Sequence, residues 1–507
     1  MSQFTKAAAV LLGSLFAATI GSSAMAAPAT DLLVKVDGTK TTGFVSTLSK
    51  LSGNSAQVSA ITETLHDGTR WVSVKAATKS RALSMSALSA MPGVVMVQPN
   101  YPIHLMHDFK LPAGAQRDAL MHDLAAGSLP STMTAKAKAD NPAIPAVSTP
   151  GIGADSLFGK QWGMTDNNVV SGWKGAKGEG FVVAVIDTGV DYTHEDLVDN
   201  MWRNPGETGT DSTGKDKSSN GVDDDSNGYI DDVVGWDFAM NDNKPFDLSV
   251  TPIELLTGGG NPGHGTHCAG NVAARGDNGK GIAGVAPKAK IMALRFLTEK
   301  GEGSTEGAIK AIEYSIKMGV KVTSNSWGSS GEDPNDAAGN QALKDALEAS
   351  RLAGQLFVAA AGNGDEQGKG YDNDTNKAPA YPSSYAYENI LAVAAIDKND
   401  GIGSFSNWGL TSVDIGAPGV AIFSTMVENQ YNDKVIDMPE FGIEATWDGT
   451  SMATPHVAGA AALYWADHPK ATAADVKKAI MDSAKPIASL KGKVVTGGKL
   501  SVENLMK

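Results

Sequence analysis

Uninterrupted apolar runs alternate with helix-period stretches along most of this chain. Residues 181–186 read Phe-Val-Val-Ala-Val-Ile with no polar break, the pattern of a strand buried on both faces of a parallel sheet. Further strands are expected at 290–297, 321–328, 355–361 and 390–396. Between and after them, 305–318, 336–352 and 473–483 read as helices. The stretch 451–465 starts with small residues and ends in Leu463-Tyr464-Trp465, as a buried helix with little bulk on its first turns would. Repeated strand–helix alternation predicts a mostly parallel sheet with helices on both faces.

The first 150 residues follow other patterns. Lys6 precedes an apolar run over 7–20, and Ala24 and Ala26 form a small-x-small site. This is expected to be a secretory signal cut after Ala26, because the run is too short to span a bilayer comfortably. Strands are expected at 32–36, 71–74 and 94–100, helices at 42–51 and 82–91, and one more strand near 58–65. That order predicts a ferredoxin-like split βαβ unit. Residues 109–151 are rich in Ala, Pro, Ser and Lys, punctuated by Pro112, Pro130, Pro142, Pro145 and Pro150. They read as a linker with one helix near 116–124. The expected organisation is a signal at 1–26, a small α+β unit at 27–107, a linker at 108–156 and a main domain at 157–507.

Composition narrows the function. A chain of 507 residues exceeds one ordinary core. Its formal net charge of −14 argues against a nucleic-acid partner and suits a secreted protein or one that holds cations. Cys268 is the only cysteine, so no intramolecular disulfide can form. Stability must then come from a large core, bound metal, or both.

Three stretches carry candidate chemistry. Asp187-Thr188-Gly189 ends the 181–186 run, and functional groups gather at the carboxyl ends of such strands. There Asp187 can orient a histidine. In Asn261-Pro262-Gly263-His264-Gly265-Thr266-His267-Cys268, glycines flank His264, a candidate general base. No third metal ligand accompanies His264 and His267, so zinc is not expected and His267 reads as structural. Cys268 reads as a small buried hydrophobe. Asp448-Gly449-Thr450-Ser451-Met452-Ala453-Thr454-Pro455-His456 puts Ser451 at a helix N-terminus, where a serine can attack a carbonyl beside a free N–H. Each stretch also has a plainer reading: a capping Asp, a turn histidine, an N-capping Ser/Thr cluster.

Together and in this order, these stretches resemble the motifs of the subtilisin-like serine proteases from about Gln161 to the C-terminus. The resemblance implies a subtilisin-like, doubly wound, mostly parallel α/β sheet preceded by a small ferredoxin-like α+β propeptide. It implies a triad of Asp187, His264 and Ser451. Ala359-Ala360-Ala361-Gly362-Asn363-Gly364 resembles the oxyanion motif, with Asn363 as donor. Ser326, Trp327 and Gly328 resemble the strand that pairs with substrate backbone. Tyr381-Pro382-Ser383 resembles a segment carrying a cis proline. Residues 94–100, ending Gln98-Pro99-Asn100, resemble the close of the family's inhibitory propeptide, which assists folding and blocks the site until it is cut away. The maturation cut is expected between about Leu105 and Gln161. Gly364 stands where some relatives carry an acid, which favours apolar or broad substrate preference, although Asp365 and Glu366 follow closely.

Residues 220–232 resemble the first half of an EF-hand loop, with Asp223, Asp225, Asn227 and the Tyr229 carbonyl as ligands. Val234 stands where that loop needs Glu, so Asp231 or Asp232 must close the site. Calcium is expected as a structural ion, with no organic cofactor. A second site around Asp196, Asn278 and Gln161 would match the family's strong calcium site.

The expected function is that of a secreted serine endopeptidase, extracellular or periplasmic, made as an autoprocessed zymogen. It would act on proteins or peptides as a monomer, inhibited by its own propeptide, with no membrane contact after signal cleavage. The alternatives are a dedicated processing protease for one precursor and a catalytically silent binding relative. An α/β-hydrolase esterase is disfavoured, because Gly449-Thr450-Ser451-Met452-Ala453 lacks the second glycine of its elbow.

Overall fold

The computed structural model describes residues 30–52, 55–77, 83–105, 154–329, 339–365, 367–438 and 443–507. The signal at 1–26, the linker helix at 116–124 and nearly all of the linker lie outside these residues.

The N-terminal unit runs β1 (Thr30–Asp37), α1 (Thr41–Ser52), β2 (Ala56–Ala60), β3 (Thr69–Ala76), α2 (Met85–Ser89) and β4 (Val94–Pro99). Its antiparallel sheet has the order β2-β3-β1-β4, a split βαβ arrangement. The strand expected near 58–65 starts earlier, and the helix expected over 82–91 is one short turn. Period-2 alternation gives this sheet two apolar faces. Val34, Val36, Val72 and Val74 pack on Phe44 and Leu48 of the unit's own helix. Leu33 and Trp71 point the other way, into a core shared with the main domain. β5 (Pro102–Leu105) then leaves the unit.

The main domain follows with α3 (Trp162–Asp166), α4 (Val169–Gly172), β6 (Val182–Asp187), β7 (Gly235–Asp237), α5 (Pro252–Gly258), α6 (His264–Ala273), β8 (Lys290–Arg295) and β9 (Glu302–Ser304). Next come α7 (Thr305–Lys317), β10 (Val322–Asn325), β11 (Trp327–Gly328), α8 (Gln341–Leu352), β12 (Leu356–Ala360), β13 (Ile390–Ile396) and β14 (Ile415–Pro418). The hairpins β15 (Ser424–Met426) with β16 (Gln430–Asn432), and β17 (Lys434–Met438) with β18 (Ile443–Thr446), lead into α9 (Thr450–Asp467). α10 (Ala473–Asp482), β19 (Lys485–Pro486), β20 (Gly498–Lys499) and α11 (Val502–Leu505) close the chain.

Among the described residues the main sheet has the order β19-β20-β14-β13-β12-β10-β6-β8-β7. It is parallel throughout except for the β19–β20 pair. Alternate residues of β6 feed opposite cores. Val183 and Val185 pack towards α6 and α9, while Ala184 and Ile186 pack towards α7 and α8. α9 is buried on nearly all sides, as expected of a helix without a polar face. The strand expected over 321–328 breaks at Ser326: β10 stays in the main sheet, whereas β11 joins β5 and β9 in a separate three-stranded sheet. Among the described residues no helix is long and apolar enough to cross a membrane.

The N-terminal unit sits on the starts of α7 and α8. Gln98 accepts from Ala342 N–H (3.0 Å) and donates to Asn340 (2.9 Å), while Asn100 accepts from Glu306 N–H (2.9 Å). These bonds engage first-turn donors that have no helical partner. Around them, Lys75 pairs with Glu306 (2.8 Å), Lys35 with Asp345 (2.8 Å), and the Trp71 indole donates to Asp345 (2.9 Å).

Candidate active site

Asp187 is the last residue of β6, and His264 opens α6. Asp187 Oδ1 lies 2.7 Å from His264 Nδ1, and both side chains are buried. Burial opposes a charged imidazole, but the Asp187 carboxylate beside it outweighs burial and holds the His264 pKa well above its ordinary value. Thr188 N–H donates to Asp187 Oδ1 (2.8 Å) and fixes the carboxylate. Among the described residues His267 and His456 have no carboxylate partner, and burial lowers them to about 3 and about 4. His267 stacks on Trp447 at 4.3 Å and bonds the Ile422 carbonyl, which agrees with its structural reading.

Ser451 is the second residue of α9. Its Oγ donates to the Ser326 carbonyl at 3.2 Å, while His264 Nε2 has no hydrogen-bond partner among the described residues. Pro455 has no N–H, so the Ser451 carbonyl lacks its usual donor four residues on. That carbonyl instead accepts from Ser326 Oγ (2.9 Å) and Cys268 Sγ (3.4 Å). Cys268 Sγ is also 3.9 Å from His264 Nδ1, so one buried thiol touches both the serine and histidine segments.

Asn363 Oδ1 accepts from both the N–H and the Oγ1 of Thr450, each at 2.8 Å. This fixes which way the amide faces. A Cβ built on Gly449 would meet Asn363 Nδ2 at 3.4 Å and Ser451 N at 3.5 Å, so both donors border one spot. Two such donors can hold an oxyanion formed at a carbonyl attacked by Ser451.

The groove beside this site contains a peptide strand. β5 pairs antiparallel with β11, Leu105 opposite Trp327 and His104 opposite Gly328, and on its other edge with β9. The Ile103 side chain is buried in the same cluster as Phe296 and Trp327. The Tyr381–Pro382 bond is cis, and Ser329 N–H donates to the Tyr381 carbonyl (2.9 Å).

The acidic loop is less simple than its sequence. Asp225 and Asp232 come together, and Glu207 joins them, with carboxylate oxygens all within 4.8 Å of one another. Asn204 and Asn227 each donate to both aspartates. Asp223 instead accepts from the N–H groups of Asn227 (3.0 Å) and Gly228 (2.7 Å), and Tyr229 N–H donates to Asn227 Oδ1. Burial raises Asp232 to about 6, and Asp225 beside it adds to the shift. Glu207 Oε2 is buried without a hydrogen-bond partner among the described residues. At the second expected site, Asp196 accepts from Asn278 Nδ2 (2.8 Å) and Ile282 N–H (2.8 Å), and Gln161 exchanges two bonds with Ala283.

Sequence reading missed Asp247 as well as Glu207. Asp247 is fully buried and accepts from Thr188 Oγ1 (2.9 Å), Asn261 Nδ2 (2.6 Å), and Thr266 N–H (2.8 Å) and Oγ1 (2.6 Å). It thereby ties the Asp187 segment to the His264 segment. A lone Asp in an unpatterned loop carries no signal of this.

Similarity to known proteins extends over the region that holds these residues. The family model described as the Subtilase family (Peptidase_S8) matches residues 178–501, more than half of the chain. Thermitase of Thermoactinomyces vulgaris is 34% identical over 329 residues, covering 65% of this chain and 90% of thermitase. The thermophilic serine proteinase of Bacillus sp. strain AK1 is 36% identical over 306 residues, covering 60% of this chain and 57% of that protein. Subtilisin Savinase of Lederbergia lenta is 36% identical over 241 residues, covering 48% of this chain and 77% of the relative.

Proposed function

The chain belongs to the subtilase family of serine endopeptidases, and we propose that it is made as a secreted zymogen that cuts itself and then hydrolyses proteins with broad or apolar preference. In this reading Ser451 attacks the scissile carbonyl and His264 takes its proton, later giving it to the leaving amine. Asp187 holds His264 in the required tautomer. Asn363 Nδ2 and the Ser451 N–H receive the oxyanion, and water hydrolyses the acyl-enzyme. Substrate backbone pairs with Ser326, Trp327 and Gly328 by strand addition.

The observation that carries the reading is the course of β5. A strand of the N-terminal unit lies in the groove between β9 and β11. Its last described residue pairs with Trp327, next to Ser326, whose carbonyl accepts from the Ser451 hydroxyl. This supports residues 27–107 as an inhibitory propeptide ahead of a catalytic domain at 157–507; the proposal also takes 1–26 as the signal and 108–156 as a linker. The mature enzyme is a monomer in the periplasm or the medium.

Calcium belongs to the same proposal as a structural ion. The donor set fits: Glu207, Asp225 and Asp232 present only oxygen, as calcium requires, and Glu207 Oε2 is buried without a hydrogen-bond partner among the described residues. When bound, the ion would neutralise three converging carboxylates and brace the loop over 204–232.

Intact mass of purified wild type beside Ser451→Ala, followed over time, tests the proposal. Wild type should shed the segment before the catalytic domain, and the variant should stay full length. If both stay full length under folding conditions with calcium, self-processing is wrong.

A further inference from the structure

Asn363 is mounted on a backbone that resists distortion poorly by itself. Gly362 and Gly364 flank it at φ of 110° and 89°, and glycine is the most freely deformed residue in a chain. Something outside the loop must hold it, and two buried amides do. Asn407 is fully buried. Its N–H donates to the Gly362 carbonyl (2.9 Å), and its Oδ1 accepts from Gly364 N–H (3.1 Å) and Tyr371 N–H (3.2 Å). Its Nδ2 donates to Asn373 Oδ1 (3.1 Å). Asn373 in turn donates to the Ala361 carbonyl (2.9 Å) and accepts from Ala380 N–H (3.3 Å), one residue before Tyr381.

We propose that Asn407 and Asn373 are positioning residues for the oxyanion step: together they clamp Ala361, Gly362 and Gly364, and so fix where the Asn363 donor points. Asn407 acts directly on both glycines beside the donor. Asn373 also reaches the segment around Tyr381, so it couples the donor to the neighbouring wall of the groove. The inference rests on reading Asn363 as the oxyanion donor.

The clamp needs an amide on both residues. Asn407 uses its oxygen and its nitrogen at once, and the Gly362 backbone is pressed against it: a Cβ at Gly362 would lie 2.4 Å from Asn407 Nδ2. Removing the Asn407 side chain takes away the acceptor for Gly364 N–H and opens space for the glycines to relax into. A displacement of about 1 Å at a reacting group can cost on the order of a hundredfold in rate.

The test is a double-mutant cycle on the mature enzyme with a chromogenic peptide, its concentration set by burst titration so that only folded sites are counted. Asn363→Ala alone should lower kcat by about a hundredfold or more. Asn407→Ala should lower kcat by about ten- to a hundredfold with KM nearly unchanged. Added to Asn363→Ala, it should lower kcat further by less than about threefold, because the donor it positions is already gone. Asn373→Ala should lower kcat and raise KM together.

Losses that multiply in the cycle would overturn the clamp and leave the donor reading intact. An Asn363→Ala enzyme with nearly full kcat would overturn the donor reading itself, and the clamp with it. Should Asn407→Ala give no titratable sites, Asn407→Ser goes through the same cycle with the same thresholds, since its single short hydroxyl cannot replace an amide that accepts from Gly364 and Tyr371 and donates to Asn373 at once.

Discussion

Asp187 and His264 form a buried contact of 2.7 Å in which a carboxylate and an imidazole share one hydrogen bond away from water. The contact holds His264 charged to higher pH than a free imidazole. A general base must be neutral to accept a proton, so raising its pKa moves the onset of activity to higher pH.

The acidic limb of kcat/KM against pH should therefore lie above about 6.5, the ordinary imidazole value, with activity rising as pH rises through it. Asp187→Asn removes the charge that sustains the shift. The limb should move down, and kcat should fall by about ten-thousandfold, as for the same change in other serine proteases. A limb that stays in place in the variant would mean that Asp187 does not set the His264 pKa.

The register of β5 leads to a prediction about maturation. Leu105 faces Trp327 and His104 faces Gly328, and Leu105 is the last described residue of β5. The next residue in the sequence is Met106. The first self-cut is expected between Met106 and His107, leaving His107 as the new N-terminus before any trimming of the linker. N-terminal sequencing of the earliest processed species reads this directly. Ile103→Asp should slow the same cut, because it would bury a charge beside Trp327. A first cut far along the linker would mean that β5 does not present the scissile bond.

Asp247 offers a stability prediction. Thr188 Oγ1, Asn261 Nδ2, and the N–H and Oγ1 of Thr266 all donate to it. Asp247→Ala would leave these buried donors without an acceptor, which costs about 1–3 kcal/mol each before relaxation. A net loss of about 3 kcal/mol is expected by urea unfolding in a Ser451→Ala background, where self-digestion cannot interfere. In the active chain kcat should fall too, since Thr188 and Thr266 adjoin the Asp187 and His264 segments.

What could be read from the sequence depended on how local the cause was. The run 181–186 announced β6 because burial on both faces leaves no polar position. Asp187, His264, Asn363 and Ser451 stood out because each sits among glycines or small residues at the end of a strand or the start of a helix. The break at Ser326 was not readable, because β11 leaves the sheet only to pair with β5, a partner more than 200 positions away in sequence. Glu207, Asp247, Asn373 and Asn407 were hidden for the same reason. They lie in unpatterned loops and acquire their roles from neighbours that only the fold supplies.

Glu207 shows how such a residue can be tested. Its carboxylate joins those of Asp225 and Asp232, and burial and the charges of Asp225 and Asp224 push its own pKa up. Three converging carboxylates with a buried, unpartnered oxygen are unfavourable alone and favourable around a divalent cation. Any ligand that binds only the folded state stabilises it, by about 2.7 kcal/mol at a hundred times its Kd. Thermal unfolding of the Ser451→Ala chain should therefore occur at higher temperature in calcium than in chelator. Glu207→Gln keeps the shape, removes one charge and should shrink that difference. In chelator the variant should be at least as stable as its parent, because it relieves the repulsion. That sign is the discriminating result: if Glu207→Gln were less stable in chelator as well, Glu207 would serve the loop through its hydrogen bonds to Asp224 and Asp225 N–H and not through a cation.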